Sequence, residues 1–149
     1  MELDTICASL TQDPLKLEDA VKIATLSSTG AVATFLGVTR SPGHNGKQVV
    51  SLDFEAYEPM ALASLRSIAR EAVQKFELSS AVVVHRTGRV HLGDASLMVV
   101  VSSPHRAPSL QALPWIVDTV KLRVAVWKKE EYSDGTVAWV HGCVASKSL

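Results

Sequence analysis

The sequence predicts an α+β fold in which a mainly antiparallel sheet carries two principal helices. Three observations predict it. Short Val-rich or alternating runs are separated by Gly, Pro and Asn; two longer stretches repeat apolar residues every three or four positions; and the order reads β-β-α-β-β-α-β-β.

The first thirty residues form a modest lead-in, with a short helix over residues 17–26 before Ser27, Ser28 and Gly30. Residues 31–38, AVATFLGV, read as a buried strand, and 41–47, SPGHNGK, as a loop. Residues 49–55 alternate, with Val50, Leu52 and Phe54 on one face and Ser51, Asp53 and Glu55 on the other, as in a half-buried strand. The clearest helix spans 58–76, where Leu65, Ile68, Ala69, Ala72 and Phe76 make the apolar face. Strands at 81–85 and 96–102 are split by turns at Gly88 and Gly93-Asp94. A second helix covers 107–124 with the stripe Leu110, Leu113, Val117, Val120 and Val124. Strands around 126–132 and 136–140 close the chain about a turn at Ser133-Asp134-Gly135.

Composition narrows the partners. A chain of 149 residues supports one core, and fifteen basic residues balance fifteen acidic ones. No whole-molecule field points to nucleic acid or membrane, so attraction for an anion must come from local clustering. Two cysteines, Cys7 and Cys143, make neither a disulfide framework nor a zinc pattern. The first residues lack a basic stretch followed by an apolar one, and no apolar run reaches bilayer length. A soluble, cytoplasmic protein is the expectation.

Four positions carry candidate chemistry. Lys121 lies roughly 60° from the centre of the expected stripe of the second helix, at the border of its buried face. Lost hydration there, with Arg123, Lys128 and Lys129 nearby, would lower its pKa and leave an amine able to act as base or nucleophile. Spacing alone favours the plainer reading, in which Lys121 snorkels and pairs with Asp118. In Trp127-Lys128-Lys129-Glu130-Glu131, strand alternation sends Lys128 to one face and Trp127 and Lys129 to the other. Without further context this run is better read as a charged, solvated edge strand. His105-Arg106 stands at the start of the second helix, where free N–H groups and a forked guanidinium suit a phosphate, or where the Arg simply caps. Arg40 ends the first long strand, within reach of an anion at the mouth of the following loop.

Other chemistries fail on the residues. The loop ending Gly46-Lys47 has Ser41 where a phosphate-binding loop needs Gly, and Gln48 where it needs Ser or Thr. His85 and His91 have no third ligand at metal spacing, and His85-Arg86 reads as a satisfied polar pair ending a buried strand. No GxSxG element is present, and the three Trp residues are dispersed rather than arranged as a stacking platform.

Taken in order, these segments resemble the large, catalytic subunit family of molybdopterin synthase. The matching runs are GAVATFLGVTR (30–40), FEAYEPMA (54–61), HRTGRVHLGD (85–94), VSSPHRA (101–107), the helix ending in Lys121, and WKKE (127–130). Number, order and spacing carry the match, which covers about residues 30–140 of a single domain, 1–149, with 1–29 as lead-in and 141–149 as tail.

The resemblance implies an α/β-hammerhead type fold and a homodimer of large subunits within a heterotetramer. Each large subunit would bind a small ubiquitin-like subunit whose C-terminal Gly-Gly thiocarboxylate enters a pocket. Two sulfurs would pass to cyclic pyranopterin monophosphate, forming the molybdopterin dithiolene, with no metal and no cofactor. By position, Lys121 and Lys128 match the family's active-site lysines, Arg40 a pocket arginine, and Phe35 an aromatic lining the tail's path. His105 and Arg106 match residues that the family lends to the neighbouring protomer's site. Three departures stand out: Ala125 where many members have Pro, Pro114 inside the second helix, and no arginine in VHGCV (140–144), leaving His141 or another group to substitute. Two other functions compete: a non-catalytic module that holds a ubiquitin-like tail, and an unrelated binder of a phosphate ligand. Neither needs both lysines.

Overall fold

The computed structural model describes residues 6–140; Cys143 and the VHGCV departure beyond Val140 lie outside them. In chain order the elements are β1 (Ile6–Thr11), α1 (Leu17–Ala24), β2 (Ala31–Val38), β3 (Val49–Ala56), α2 (Glu58–Phe76), β4 (Ser80–Arg86), β5 (Gly88–His91), β6 (Ala95–Ser103), α3 (Arg106–Arg123), β7 (Val126–Tyr132) and β8 (Val137–Val140). The α+β class and both principal helices are as expected. Two strands are additional. The residues of β1 are all half-buried, so its small apolar and polar side chains give no sharp alternation. The four residues of β5 begin at Gly88 and end just before the Gly93 turn, which reads as punctuation in sequence.

The strands form two sheets rather than one. The first has the order β1-β4-β6-β2 and is antiparallel except for the β1–β4 pair. The second, β5-β3-β7-β8, is antiparallel throughout. Helices α2 and α3 cover one face of the first sheet, where Leu65, Ile68 and Ile116 pack on Val83, Val99 and Val101. Helix α1 sets Ala20 and Ala24 on the other face, against Val82, Val84, Met98 and Val100. A smaller core of Val49, Leu52, Phe54, Val90 and Tyr132 backs the second sheet. No helix among the described residues is long and apolar enough to cross a membrane.

Two expected faces are shifted. In β3 the pairing steps from Val49↔Tyr132 to Ser51↔Glu131, so Val50 is an extra, bulged residue. Val49 therefore turns inward, Val50 outward, and Ser51 is buried. In α3 the buried positions are Ser109, Ala112, Ile116, Thr119 and Val120, while Leu110 is exposed. This helix has apolar residues on every side, so its stripe cannot be located from hydropathy alone. The true stripe centre lies roughly 150° from Lys121 by helical rotation, not 60°.

Close packing at Gly30 positions the start of α3. A Cβ there would collide with the backbone carbonyl of Pro104, and the Gly30 amide donates to the Ser103 carbonyl at 3.1 Å. Gly30→Ala is expected to cost about 1–3 kcal/mol of stability, read as a lower denaturant midpoint with unchanged slope.

Candidate active site

A cavity of about 540 Å³ opens where the two sheets meet the C-terminal end of α3. Phe35 and Arg40 reach it from β2 and the residues following, Lys121 from α3, and Lys128 from β7. Two pairs of residues far apart in sequence, Phe35 with Arg40 and Lys121 with Lys128, therefore line one space. Leu52, Phe54 and Leu97 give it an apolar wall.

The alternation in β7 does what the sequence suggests. Lys128, Glu130 and Tyr132 face inward, whereas Lys129 lies 5.5 Å from the ring centroid of its cross-strand partner Trp139. On the same outer face Glu131 takes Arg89 at 3.0 Å. The strand is not an edge, however. It runs between β3 and β8, and its charges are accommodated because half of them face the cavity and half the outer surface.

The desolvated lysine is Lys128. Burial pulls its pKa below the ordinary lysine range; Glu130 opposes this, and Lys121 and Arg40 add to it. Lys121 itself is exposed, as the corrected α3 stripe requires, and makes no ion pair with Asp118 among the described residues. The desolvation expected at Lys121 thus falls on its neighbour. Arg40 is likewise exposed at the cavity rim.

Glu130, hidden in the sequence among surface-like charges, anchors the wall carrying Arg40. Its Oε1 accepts from Tyr132 Oη at 2.6 Å and from His44 Nδ1 at 2.9 Å, tying loop 41–47 to β7. Burial pushes the Glu130 carboxyl up, but these hydrogen bonds and the nearby Lys128 outweigh it, so its pKa lies below the usual range. Burial and the same carboxylate push Tyr132 up to about 12. Gly43 leaves the room, since a Cβ there would press on Glu130 and Val49. Glu130→Ala strands the Tyr132 hydroxyl and His44 together, and is expected to cost about 2 kcal/mol of stability by chemical denaturation.

His105 and Arg106 stand apart. Both are exposed at the start of α3, and His105 contributes no side-chain cap. Arg106 and Lys121 are on one helix, roughly 22 Å apart along its axis, so a single chain does not bring them together. His85, set aside in sequence as a satisfied pair, also lines the cavity. Its Nδ1 donates to the Arg86 carbonyl at 2.8 Å, and its ring meets Phe54 edge-on at 5.2 Å. No group of His, Cys, Asp and Glu side chains suited to a metal occurs among the described residues.

Residues 10–123 match the model of the MoaE protein family. The molybdopterin synthase catalytic subunit of Bacillus subtilis is 39% identical over 126 residues, spanning 85% of this chain and 80% of that protein. The corresponding subunit of Pyrococcus abyssi is 38% identical over 136 residues, 90% of each chain. Among solved structures, molybdopterin synthase from Staphylococcus aureus superposes with a TM-score of 0.82 at 31% identity, covering 88% of this chain and 94% of that one.

Proposed function

Because this chain belongs to the MoaE family of molybdopterin synthase catalytic subunits, we propose that its cavity passes sulfur from the C-terminal thiocarboxylate of a small ubiquitin-like subunit to cyclic pyranopterin monophosphate. The enzyme class and its place in molybdenum cofactor biosynthesis follow from the family. The transfer route and the residues that carry it are our reading.

One observation supports that reading above the rest: Arg40, Lys121 and Lys128 share a cavity whose carboxylate, Glu130, is already engaged by Tyr132 and His44. Such a cavity is short of negative charge. A thiocarboxylate and a phosphate supply it. Lys128, held partly out of water on an internal strand, stabilises the charge that develops as the cyclic phosphate opens. Lys121, exposed at the opening, meets the incoming tail and moves protons. Phe35 lines the tail's path, and Arg40 holds the phosphate.

The phosphate grip is completed by His105 and Arg106 of a second copy. Their distance from Lys121 within one helix supports a homodimer in which each α3 start serves the other protomer's cavity. The relatives' name, a catalytic subunit, fits assembly with a further subunit, and a heterotetramer of two large and two small chains satisfies both requirements.

The test is reconstitution. The chain, mixed with thiocarboxylated small subunit and cyclic pyranopterin monophosphate, yields the dithiolene product by mass spectrometry. No product from intact protein, or an unchanged rate from Lys121→Ala, contradicts the reading.

A further inference from the structure

We infer that His85 is a catalytic residue of this sulfur transfer, the base that takes a proton from the water releasing the spent tail; the inference rests on the reaction proposed above and deepens it. Mass balance creates the need for such a base. Once sulfur is bonded to the pterin, the tail's acyl carbon is still attached to it. Water adds to that carbon and gives a proton to the base; the C–S bond then breaks, its electron pair staying on sulfur as a thiolate beside Lys128. The tail leaves as a carboxylic acid that ionises to solvent, and the protonated base returns its proton to solvent.

The geometry points to His85 for three reasons. First, it lines the same cavity as Lys121 and Lys128 while being only 8% exposed. Second, its tautomer is set. The Arg86 carbonyl can only accept, so Nδ1 carries the hydrogen at 2.8 Å and Nε2 of the neutral ring is a bare acceptor. Third, the ring is held in place. Phe54 packs edge-on against it at 5.2 Å, and Phe54 is the cross-strand partner of Lys128, so imidazole and amine flank one aromatic side chain.

Burial, aided by nearby positive charge, favours the neutral ring. Lys128 and Glu130 face the cavity from β7, Lys121 from α3, Arg40 from just after β2 and His44 from loop 41–47; β3 and β6 offer only the uncharged Leu52, Phe54, Ser96 and Leu97. Burial lowers the His85 pKa below the ordinary imidazole range, the Arg86 hydrogen bond opposes this, and the charge of Lys128 adds to the lowering. Glu130, the other base on the wall, has its Oε1 committed to Tyr132 and His44. His44 also lines the cavity, but its Nδ1 is held by Glu130 and its ring is half exposed, so among the described lining residues His85 is the buried imidazole with an uncommitted lone pair.

His85→Asn keeps a donor for the Arg86 carbonyl and removes Nε2. Reconstituted with thiocarboxylated small subunit and cyclic pyranopterin monophosphate, it is expected to release product about 100-fold more slowly. A covalent tail–pterin adduct should accumulate in the mass spectrum. The loss of rate that wild type shows on acidification, as His85 becomes protonated, should vanish in the variant. His85→Gln, which has no basic nitrogen, should accumulate the same adduct. A slower reaction without adduct and with the wild-type pH profile marks a structural role and overturns the inference, as does release at the wild-type rate. Nitrogen-15 NMR of the unaltered protein gives a check independent of any variant: Nε2 is expected bare at neutral pH, and a hydrogen on Nε2 overturns the assignment. Failure of the wild type itself to form product overturns the transfer reading as well, which separates the two claims.

Discussion

Lys128→Ala is expected to lower the rate of product formation about a thousandfold, through loss of an inward, desolvated cation that meets charge developing on the opened phosphate. The fold should survive. Lys128 has its pKa lowered in the folded state because burial disfavours the ammonium, so its presence is a cost to stability. The sign follows from linkage. Below the lowered folded value the group is charged in both states and the cost is in force; it is relieved as pH climbs from that value toward the ordinary lysine range. Lys128→Met, which keeps the stem and drops the charge, is therefore expected to be as inactive as the alanine variant and to unfold at a higher denaturant concentration than wild type. An active Lys128→Met protein, or one less stable than wild type, would show that the amine is neither the catalytic cation nor a desolvated one. Lys121→Ala lacks this stability signature, because Lys121 is exposed and its removal uncovers no buried charge.

Mixing two inactive variants should restore activity. If His105 and Arg106 act across a homodimer, Lys128→Ala and Arg106→Ala each damage every site when alone. Co-refolded in equal amounts, half the dimers are mixed, and each mixed dimer holds one site with both residues intact. Activity is then expected to return to about a quarter of wild type, from near zero in either parent. No recovery, with mixed dimers verified by native mass spectrometry, would place Arg106 in the site of its own chain or outside the site altogether. The separation of roughly 22 Å between Arg106 and Lys121 along α3 argues against the first of these.

How much of this was legible in sequence depended on the kind of signal. Helix α2 is legible with its observed bounds because its apolar and polar faces are divided. The bounds of β2 are legible from its largely apolar run, but its burial is not: β2 lies at the edge of the first sheet with Val32, Leu36 and Val38 exposed, where the sequence predicts a buried strand. The faces of α3 are not legible either, since apolar residues surround it and only tertiary packing decides which side is buried. Hydropathy therefore sets Lys121 at the border of the core, whereas packing puts it on the outer side and leaves the desolvation to Lys128. The inward direction of Lys128 was available from strand alternation, but the internal position of β7 was not, because Lys-Lys-Glu-Glu is what an edge strand displays. Glu130 was missed for the same reason. Its position two residues after Lys128, hence on the same face, was the signal that could have found it. In sequence His85 reads only as a buried polar group; nothing local reveals that it lines a cavity built from β2, α3 and β7.

The most direct test of the central claim is a single turnover with the thiocarboxylate sulfur of the small subunit isotopically labelled. The reading predicts that both dithiolene sulfurs carry the label, that the tail is recovered as carboxylate, and that neither happens with Lys128→Ala. Dithiolene formed without the label, or labelled product formed equally well by the Lys128→Ala protein, would contradict it.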